Sequence, residues 1–512
     1  MQNTFQKLHD KNKQELAIPG DGQPWGALKH YDTYSRWTIA DQEFDELVNW
    51  MPQGPSMRQV PNIGALIATL ASTVIWMSAQ TLNGGQYIFC LCTNGHLYQV
   101  AIPGGAITDV SGATALSTSS DIANWQGTQI LISDPSTSTL YNWNGTTFAT
   151  AIAAGSWHAR YITVFGGRVW GGFTNTVQFS DANSYNSLGG SAGAFIITDS
   201  DCVKGILALI PFNGMLYIWG PNYNQVVSNL SVTGSPPVLS FTKYTLQSQI
   251  GINSKWSLVP MGQTLYFTNQ YGIWNLSGAV PAKVSEPVDG IVTNLQSDSS
   301  YSGGYTQIYG DPVLLWNVHY TGNPAAGGAY TMLSITSENQ WFRVIFGNIT
   351  FITSDIFNNL PTAWITDGTR IWALFQDLTT AVSSYFQSKL WNFGNPIQYD
   401  LMQKLGVIAV IISPATITFS LVGANQNLLY TTNQTFQLNL IWVNNSGQTI
   451  TWQNNSLATV NWIGQNAVWE PWQFDVPARQ RAFGINLTLS SAGALLQAIS
   501  IEHEPTQAGW GP

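Results

Sequence analysis

Asn213-Gly214-Met215-Leu216-Tyr217 places a turn, aliphatic residues and an aromatic residue in succession, and this order recurs along the middle of the chain. Successive aromatic residues of the copies are 43, 29, 47, 49, 50 and 56 residues apart. A period of roughly 40–50 residues that combines a turn with a strand is typical of β-propeller blades. We therefore predict that residues 59–395 form a β-propeller-like body of about seven blades, give or take one. The other copies are Asn94-Gly95-His96-Leu97-Tyr98, Ser138-Thr139-Leu140-Tyr141, Gly167-Arg168-Val169-Trp170, Gly262-Gln263-Thr264-Leu265-Tyr266, Asp311-Pro312-Val313-Leu314-Leu315-Trp316 and Gly368-Thr369-Arg370-Ile371-Trp372.

The composition of the 512-residue chain indicates an all-β protein with a surface suited to assembly. Apolar residues make up 44%, which is enough for sizeable cores and excludes global disorder. The 22 tryptophans and 47 glycines favour pleated strands and tight turns. Charged residues make up only 9%, and the net charge is −9. So few cations argue against tight binding of nucleic acid, and a surface poor in charge favours burial in an assembly.

The N-terminal segment differs from the rest of the chain in its charge. Residues 1–58 carry 14 of the 45 acidic and basic side chains, whereas residues 59–159 carry no lysine or arginine. We predict that residues 1–58 form a solvated N-terminal docking arm on a neighbouring protein; the alternative is a frayed terminus. Within this segment the spacing of apolar residues predicts a helix over residues 39–48, with Asp41 as its N-cap.

The C-terminal segment differs from the other two in its sequence pattern. Residues 396–512 alternate short strand patterns with asparagine-rich turns, which predicts a β-sandwich-like domain. No cation lies between Lys404 and Arg479, and the acids there are Glu470 and Asp475. Its polar surface therefore consists mainly of neutral amides and hydroxyls, which form only modest hydrogen bonds. A polyanion can move past such a surface without being held.

The cysteines do not form a disulfide framework, because there are three of them and their spacing fits none. Cys90 and Cys92 are separated by one residue, so on a strand they lie on one face. We predict that both are small buried side chains. A metal site would need further ligands at suitable spacing, and only His96 is near. The third cysteine is Cys202. We predict no cofactor and no metal.

A search for catalytic motifs finds no nucleophile elbow, zinc-protease, Walker or dinucleotide-binding pattern. His503 lies between Glu502 and Glu504, and we predict a solvated strand end there rather than a paired-carboxylate acid–base site. We therefore predict no catalytic residues and no enzyme activity. A propeller glycosidase is the less favoured alternative, and it would need acids that converge in a pocket. The candidates are Asp311, Asp367 and Glu470.

A carbohydrate-binding propeller module is the other alternative. Trp462, Trp469 and Trp472 are candidates for stacking on sugar rings, although packing in a core or between subunits is favoured.

Targeting and membrane signals are not evident. The N-terminal MQNTFQKLHDKNKQEL has no apolar segment of a signal peptide. The longest apolar run, Ile63 to Met77, has 15 residues and is shorter than the roughly 20 of a membrane span. We predict a buried β segment there and no membrane span.

Residues 155–290 resemble a known family in the order of their motifs. Trp157-His158-Ala159-Arg160-Tyr161 leads into Phe165-Gly166-Gly167-Arg168-Val169-Trp170 and Asn175-Thr176-Val177-Gln178-Phe179-Ser180-Asp181. Val203 to Phe212 then precedes Met215-Leu216-Tyr217-Ile218-Trp219-Gly220. This order is similar to the tail nozzle, or tail hub, propeller proteins of short-tailed bacteriophages. The last matching segments are Gly251-Ile252, Leu265-Tyr266-Phe267, Gly272-Ile273-Trp274 and Val284-Ser285-Glu286-Pro287-Val288-Asp289.

The resemblance implies a structural virion protein that is made in the host cytoplasm and resides in the phage tail. Such proteins form a ring, here a homohexamer, below the portal and adaptor proteins. The ring extends the channel for double-stranded DNA, closes it until genome ejection and carries tail fibres or spikes. We expect residues 396–512 to form part of this conduit or its closure, and an outward-facing sandwich that holds fibres is the alternative. Positions for a test are Asn444, Asn445 and Asn454, and tryptophans that would pack between subunits or plug the bore are Trp442, Trp452 and Trp462.

Overall fold

Antiparallel strands supply nearly all the regular structure in the computed structural model, as the composition predicts. The structure describes residues 14–19, 23–29, 35–198, 205–235, 237–278, 280–292, 301–319, 330–392, 399–411, 415–436 and 472–506. The helices in these ranges are single turns: α-helices Ser35–Thr38 and Asp289–Val292, and 3₁₀-helices Lys255–Ser257 and Glu286–Val288. The chain divides into two compact units, one of residues 64–339 and 345–374, the other of residues 1–63, 340–344 and 375–512.

Six antiparallel four-stranded sheets are the blades of a β-propeller in the first unit, which confirms the predicted fold class. Blade 1 contains Val74–Leu82, Gly85–Cys92, Leu97–Ile102 and Ile107–Asp109; blade 2 contains Asp121–Trp125, Gln129–Asp134, Thr139–Trp143 and Phe148–Ile152; blade 3 contains Tyr161–Phe165, Arg168–Phe173, Thr176–Phe179 and Gly193–Ile196. Blade 4 contains Ala208–Phe212, Met215–Trp219, Tyr223–Thr233 and Val238–Ser248; blade 5 contains Val259–Met261, Thr264–Asn269, Gly272–Leu276 and Pro281–Lys283; blade 6 contains Phe351–Phe357, Leu360–Thr366, Arg370–Ala373 and Leu66–Thr69.

The count of four-stranded blades is six rather than about seven. The repeat around Trp316 has only three strands in this unit, and its first strand packs beside the first strands of blades 5 and 6. The prediction counted aromatic strands, and each of the seven copies does lie on a strand. It could not count how many strands each copy contributes. The strands of this three-stranded group are Gly303–Ile308, Asp311–His319 and Tyr330–Thr336.

Blade 6 closes the propeller with a strand from far upstream in the chain. Leu66–Thr69 pairs antiparallel with Arg370–Ala373, in a register that sets Ala68 against Ile371. The apolar run Ile63 to Met77 is therefore two strand segments that belong to different blades. A sheet that takes strands from both ends of the unit joins those ends, because separating them would break its hydrogen bonds.

The repeats bury their aliphatic residue more completely than their aromatic one. The aromatic residues Trp170 and Trp316 are also fully buried, but Tyr98, Tyr141, Tyr266 and Trp372 are half-buried. The core of each blade therefore rests on branched aliphatic side chains, with aromatic rings completing its margins. The fully buried aliphatic residues are Leu97, Leu140, Val169, Leu216, Leu265, Leu315 and Ile371.

The second unit contains two sheets, which combine strands of the C-terminal segment with strands from residues 1–63 and 340–344. The sandwich-like domain over residues 396–512 stays a prediction. In Ala415–Gly423 buried residues alternate with less buried ones, as expected for a strand with one face on a core. One sheet has the order Trp50–Gln53, Ser56–Gln59, Leu495–Thr506, Tyr399–Val410, Trp472–Gln480, with Gln14–Ile18 also paired to Leu495–Thr506. In the other, the strands of this unit follow the order Trp341–Val344, Phe44–Val48, Val382–Ser388, Phe483–Ser491, Ala415–Gly423, Leu428–Phe436.

The described part of residues 1–58 is integrated in this unit instead of forming a separate arm. The predicted helix over residues 39–48 is wrong, since Phe44–Val48 is a strand that pairs with Val382–Ser388. All five of its residues are buried, including Glu46, whose carboxylate pairs with the guanidinium of Arg343. Burial on both faces removes the alternation that marks a strand in sequence, and partners far along the chain override the local helical pattern.

Candidate functional site

Two cavities lie along the axis of the propeller. The strand cavity, of about 550 Å³, is lined by the first strand of each blade, for example at Ser78, Asn124 and Thr163. The loop cavity, of about 580 Å³, is lined by segments that lead into those strands, for example at Arg160, and by turns within blades, for example at Asn222. Both volumes fall in the range of small-molecule sites, roughly 300–1,000 Å³. The propeller axis therefore offers space of the size that a small molecule needs.

Lys255 and Trp256 line both cavities and form the partition between them. The Lys255 ammonium donates to both carboxylate oxygens of Asp121, the first residue of blade 2. Trp256 stacks on Trp76 with ring centroids 5.1 Å apart, and Lys255 Nζ lies 5.0 Å from the centre of the Trp256 ring. The hydroxyl of Ser254 caps this helical turn by accepting from the Trp256 N–H. An ion pair and two stacked rings thus hold the partition in place.

Asp121 is a buried acid whose surroundings supply what its charge requires. Its side chain is 3% exposed, and besides Lys255 it accepts the backbone N–H of Ile162 at 2.8 Å. A carboxylate removed from water is stable only when it is paired and hydrogen-bonded. Asp121 therefore joins the first strands of blades 2 and 3 to the turn that precedes blade 5.

The loop cavity presents polar groups that the protein itself does not use. Arg160 is exposed, and its guanidinium lies 5.1 Å from the centre of the Tyr161 ring with no acceptor among the described residues. The hydroxyl of Ser120 is buried and has no hydrogen-bond partner in the described part of the chain. Burial raises the pKa of the Tyr161 hydroxyl above its ordinary value, with Arg160 opposing and Asp121 adding to the shift. These groups face a space that is open to a ligand.

The strand cavity carries one acid with a perturbed pKa. Burial raises the pKa of Asp355, although its hydrogen bond from the N–H of Ile356, 2.8 Å, opposes the shift. Glycoside hydrolysis needs two carboxyl groups on opposite sides of one bond. Among the described residues that line this cavity, Asp355 is the acid and Lys255 is the base.

Of the candidate glycosidase acids, Asp367 is held in a turn by Arg370 and by backbone N–H groups. Asp367 accepts from Arg370 Nε at 2.8 Å and from the backbone N–H groups of Thr369 and Arg370. Burial alone would raise the pKa of Asp367, but these hydrogen bonds and the guanidinium lower it, which is opposite to the shift of a general acid. Asp311 begins a strand of the three-stranded group, and Glu470 lies outside the described residues.

The cysteine prediction is confirmed for Cys90 and Cys92, which are free and buried in the core of blade 1. Burial raises the pKa of Cys92 to about 12 and that of Cys90 well above its ordinary value. His96 pairs through Nδ1 with Asp109 at 2.8 Å. Within the described ranges, no three His, Cys, Asp or Glu side chains are grouped closely enough to hold a metal ion. Cys202 is not among the described residues.

The solvated strand end predicted at His503 is wrong. Leu495–Thr506 continues through it, and His503 is 3% exposed. The strand is paired on both sides here, with Met402 and Gln14 opposite His503, so the end that looked free in sequence is covered.

The remaining sequence-based candidates fall outside the described residues. These are the tryptophans Trp442, Trp452, Trp462 and Trp469, and the asparagines Asn444, Asn445 and Asn454. Trp472 begins a strand of the second unit. The conduit and sugar-stacking roles of these residues stay predictions. A search of the described helices finds none with the length and apolar character to cross a membrane.

The sequence analysis did not predict the partition of Lys255 and Trp256, although one feature of the sequence is related to it. Asp121 is one of three acids in residues 59–159, where there is no lysine or arginine. A buried acid there needs a cation from beyond that stretch, but composition does not say that the acid is buried or which cation it meets.

Comparison with known proteins gives a fold-level similarity. No protein-family profile matches the chain, and no curated protein matches it in sequence. Among solved structures, the chain is similar to one described as a streptogramin B lyase structure, at 10% identity and a TM-score of 0.42. The similarity covers 60% of this chain and 95% of that chain. At this distance it carries no inference about activity.

Proposed function

We propose that this protein is a structural component of a bacteriophage tail, a nozzle or hub that assembles as a homohexameric ring below the portal and adaptor proteins. In this role it extends and closes the DNA channel, supports genome ejection and holds fibres or spikes. It resides in the virion and catalyses no reaction. The motif order over residues 155–290 introduces this proposal, and the chemistry of the propeller surface supports it.

The supporting observation is a set of exposed apolar side chains on adjacent blades. Phe173 and Ile196 both lie opposite Thr176 in the register of blade 3, so they share one face at one level. Their exposed fractions are 42% and 56%. On blade 4, Val232 and Val238 are also about half exposed. A surface poor in charge that exposes such residues on neighbouring blades is suited to an interface with another subunit.

The charge of the chain supports the passage of DNA. With 27 acidic and 18 basic residues, the protein repels phosphate on average. Each fixed cation that contacts a phosphate has to release it again before the DNA can advance. An acidic ring with few cations therefore guides the polymer without holding it.

Native mass spectrometry of the purified chain tests the proposed ring. One chain has a mass of 56.0 kDa, so a homohexamer has about 336 kDa. We expect a single closed species at that mass, with no series of larger open oligomers, because a heterologous interface that closes by rotation stops growing. A monomer at every concentration up to the micromolar range would contradict the proposal.

A further inference from the structure

We propose that the loop cavity binds a small acidic sugar, a polyhydroxylated ligand with one carboxylate. This binding site goes beyond the structural role proposed above and does not depend on it. The cavity combines a guanidinium, side-chain amides and a buried hydroxyl that have no hydrogen-bond partner among the described residues, all within the propeller unit.

The charge balance of the cavity favours a single negative charge. Its charged residues are Arg160, Lys255 and Asp121, and the last two neutralise each other in an ion pair. Arg160 is left as one uncompensated positive charge at the cavity surface of a chain whose net charge is −9. A guanidinium presents a planar fork of donors that matches a carboxylate. A ligand with one carboxylate therefore fits the cavity better than a neutral molecule does.

The remaining polar groups favour hydroxyls as the other part of the ligand. The side-chain amides of Asn222 and Gln270 line the cavity and have no partner among the described residues. An amide both donates and accepts, as a hydroxyl does, so the two groups pair in either direction. Ser120 is 3% exposed, and its buried hydroxyl has no hydrogen-bond partner in the part of the chain that the structure describes. A buried polar atom without a partner costs free energy that a bound hydroxyl would recover.

The partition gives the cavity a fixed floor. The Lys255–Asp121 pair and the Trp256–Trp76 stack close it on the inner side. A floor that does not move lowers the ordering cost of binding. The volume of about 580 Å³ admits one or two sugar rings and excludes a folded partner protein.

Titration of glucuronate tests the proposal, with tryptophan fluorescence as the readout because Trp76 and Trp256 line the cavity. Glucose supplies the same hydroxyls without the carboxylate, and inorganic phosphate supplies an anion without the hydroxyls. We expect saturable binding of glucuronate with a dissociation constant near about 1 mM, and binding of glucose and phosphate at least tenfold weaker. Binding of phosphate as tight as that of glucuronate would overturn the assignment of an acidic sugar.

Two variants locate the site. R160Q removes the charge and leaves a shorter polar side chain, and we expect a tenfold to hundredfold loss of glucuronate affinity, roughly the value of a charge-assisted hydrogen bond. R370Q is the matched control, since Arg370 is exposed on blade 6, pairs with Asp367 and does not line the cavity. The thermal midpoint of R160Q should equal that of the wild type, because Arg160 is exposed. Equal affinity in R160Q and the wild type, or no saturable binding of glucuronate up to about 10 mM, would overturn the proposal.

Discussion

Lys255 and Asp121 are 134 positions apart, and their ion pair across the propeller axis is the contact on which the partition depends. The side chains are 16% and 3% exposed, so neither charge is well solvated. An exposed pair contributes about 1 kcal/mol or less, whereas removing one partner of a buried pair leaves an uncompensated charge. This contrast makes the pair a site where a single substitution has a large expected effect.

We predict that K255M lowers the free energy of unfolding by about 3–5 kcal/mol, because Asp121 then keeps only the N–H of Ile162 as a partner. The matched control is K283M, which removes the ammonium that pairs with Asp289 in a half-buried surface contact. Its expected cost is about 1 kcal/mol or less. Urea unfolding of both variants measures the difference. Equal costs for the two substitutions would show that the axial pair does not stabilise the fold.

Cys90 and Cys92 give a prediction about reactivity. The thiolate is the reactive form, and a pKa of about 12 for Cys92 leaves it almost fully protonated at pH 8. We expect neither thiol to react with iodoacetamide at pH 8 in the folded protein, and both to react in concentrated urea. Peptide mapping by mass spectrometry separates these sites from Cys202. Rapid labelling of either thiol in the folded protein would contradict their burial.

The same two thiols predict a loss of stability in alkali. Their pKa values are raised on folding, so the stability they contribute is fully present below the pKa of an unfolded thiol, about 8.5. It is lost as the pH rises from there toward about 12, because the unfolded chain releases protons first. A C90A/C92A variant should show a flatter decline in thermal midpoint between pH 8.5 and 10.5. An unchanged slope would contradict the shifted pKa values.

At the scale of elements, the strand Leu66–Thr69, which closes blade 6, gives a direct test of the fold. We predict that A68P lowers the free energy of unfolding by about 3 kcal/mol or more. Proline has no N–H to donate to the neighbouring strand, and Ala68 is only 5% exposed. L66T in the same strand is the control, since Leu66 is half exposed and threonine suits a strand. Thermal unfolding measures both. A substitution at Ala68 as mild as that at Leu66 would mean that this strand does not close the propeller.

Residues 1–58 give a second prediction at this scale. It differs from the docking arm that the sequence analysis predicted for this segment. Removing a docking arm would leave the body folded, but deletion of residues 1–58 also removes Phe44–Val48 and Trp50–Gln53. Trp50 is fully buried. We therefore expect the deletion to remove hydrogen-exchange protection from the amides of Val382–Ser388 that face Phe44–Val48, while those that face Phe483–Ser491 keep theirs.

A variant that removes one charge but no strand distinguishes the contribution of the strands in residues 1–58 from that of their charged side chains. K29A removes the ammonium that lies 3.8 Å from Glu43 in a half-buried pair, and we expect no loss of protection in Val382–Ser388. Full protection in the deletion would mean that the segment is a separable arm after all.

The elements show what sequence could predict here and what it could not. Blade strands such as Met215–Trp219 follow a turn and place an aliphatic residue directly before an aromatic one, so a repeat search finds them. Phe44–Val48 is buried on both faces, and Gln14–Ile18 pairs with a strand some 480 residues away, so neither pairing has a local signal. The loop cavity is also invisible in sequence, because Ser120, Arg160 and Asn222 meet only when successive blades stack around the axis.

At the scale of the whole molecule, the exposed apolar face of blade 3 predicts where subunits meet. We expect the double variant F173S/I196T to raise the dissociation constant of the oligomer at least tenfold, because both side chains lose apolar area that association would bury. I107T on blade 1, where Ile107 is 44% exposed, is the control. Mass photometry over a dilution series measures dissociation, and circular dichroism confirms that each variant stays folded. Equal dissociation of the variant and the control would place the interface elsewhere.

Cryo-electron microscopy of the purified chain tests the central proposal most directly, because a tail nozzle must enclose a bore. Two-dimensional class averages should show end-on rings with six equivalent subunits around an open axis, distinct from the axis of each propeller. The proposal predicts this view without any added protein or DNA. Monomeric particles that show only a single propeller with its second unit, at concentrations where hexamers are expected, would contradict it.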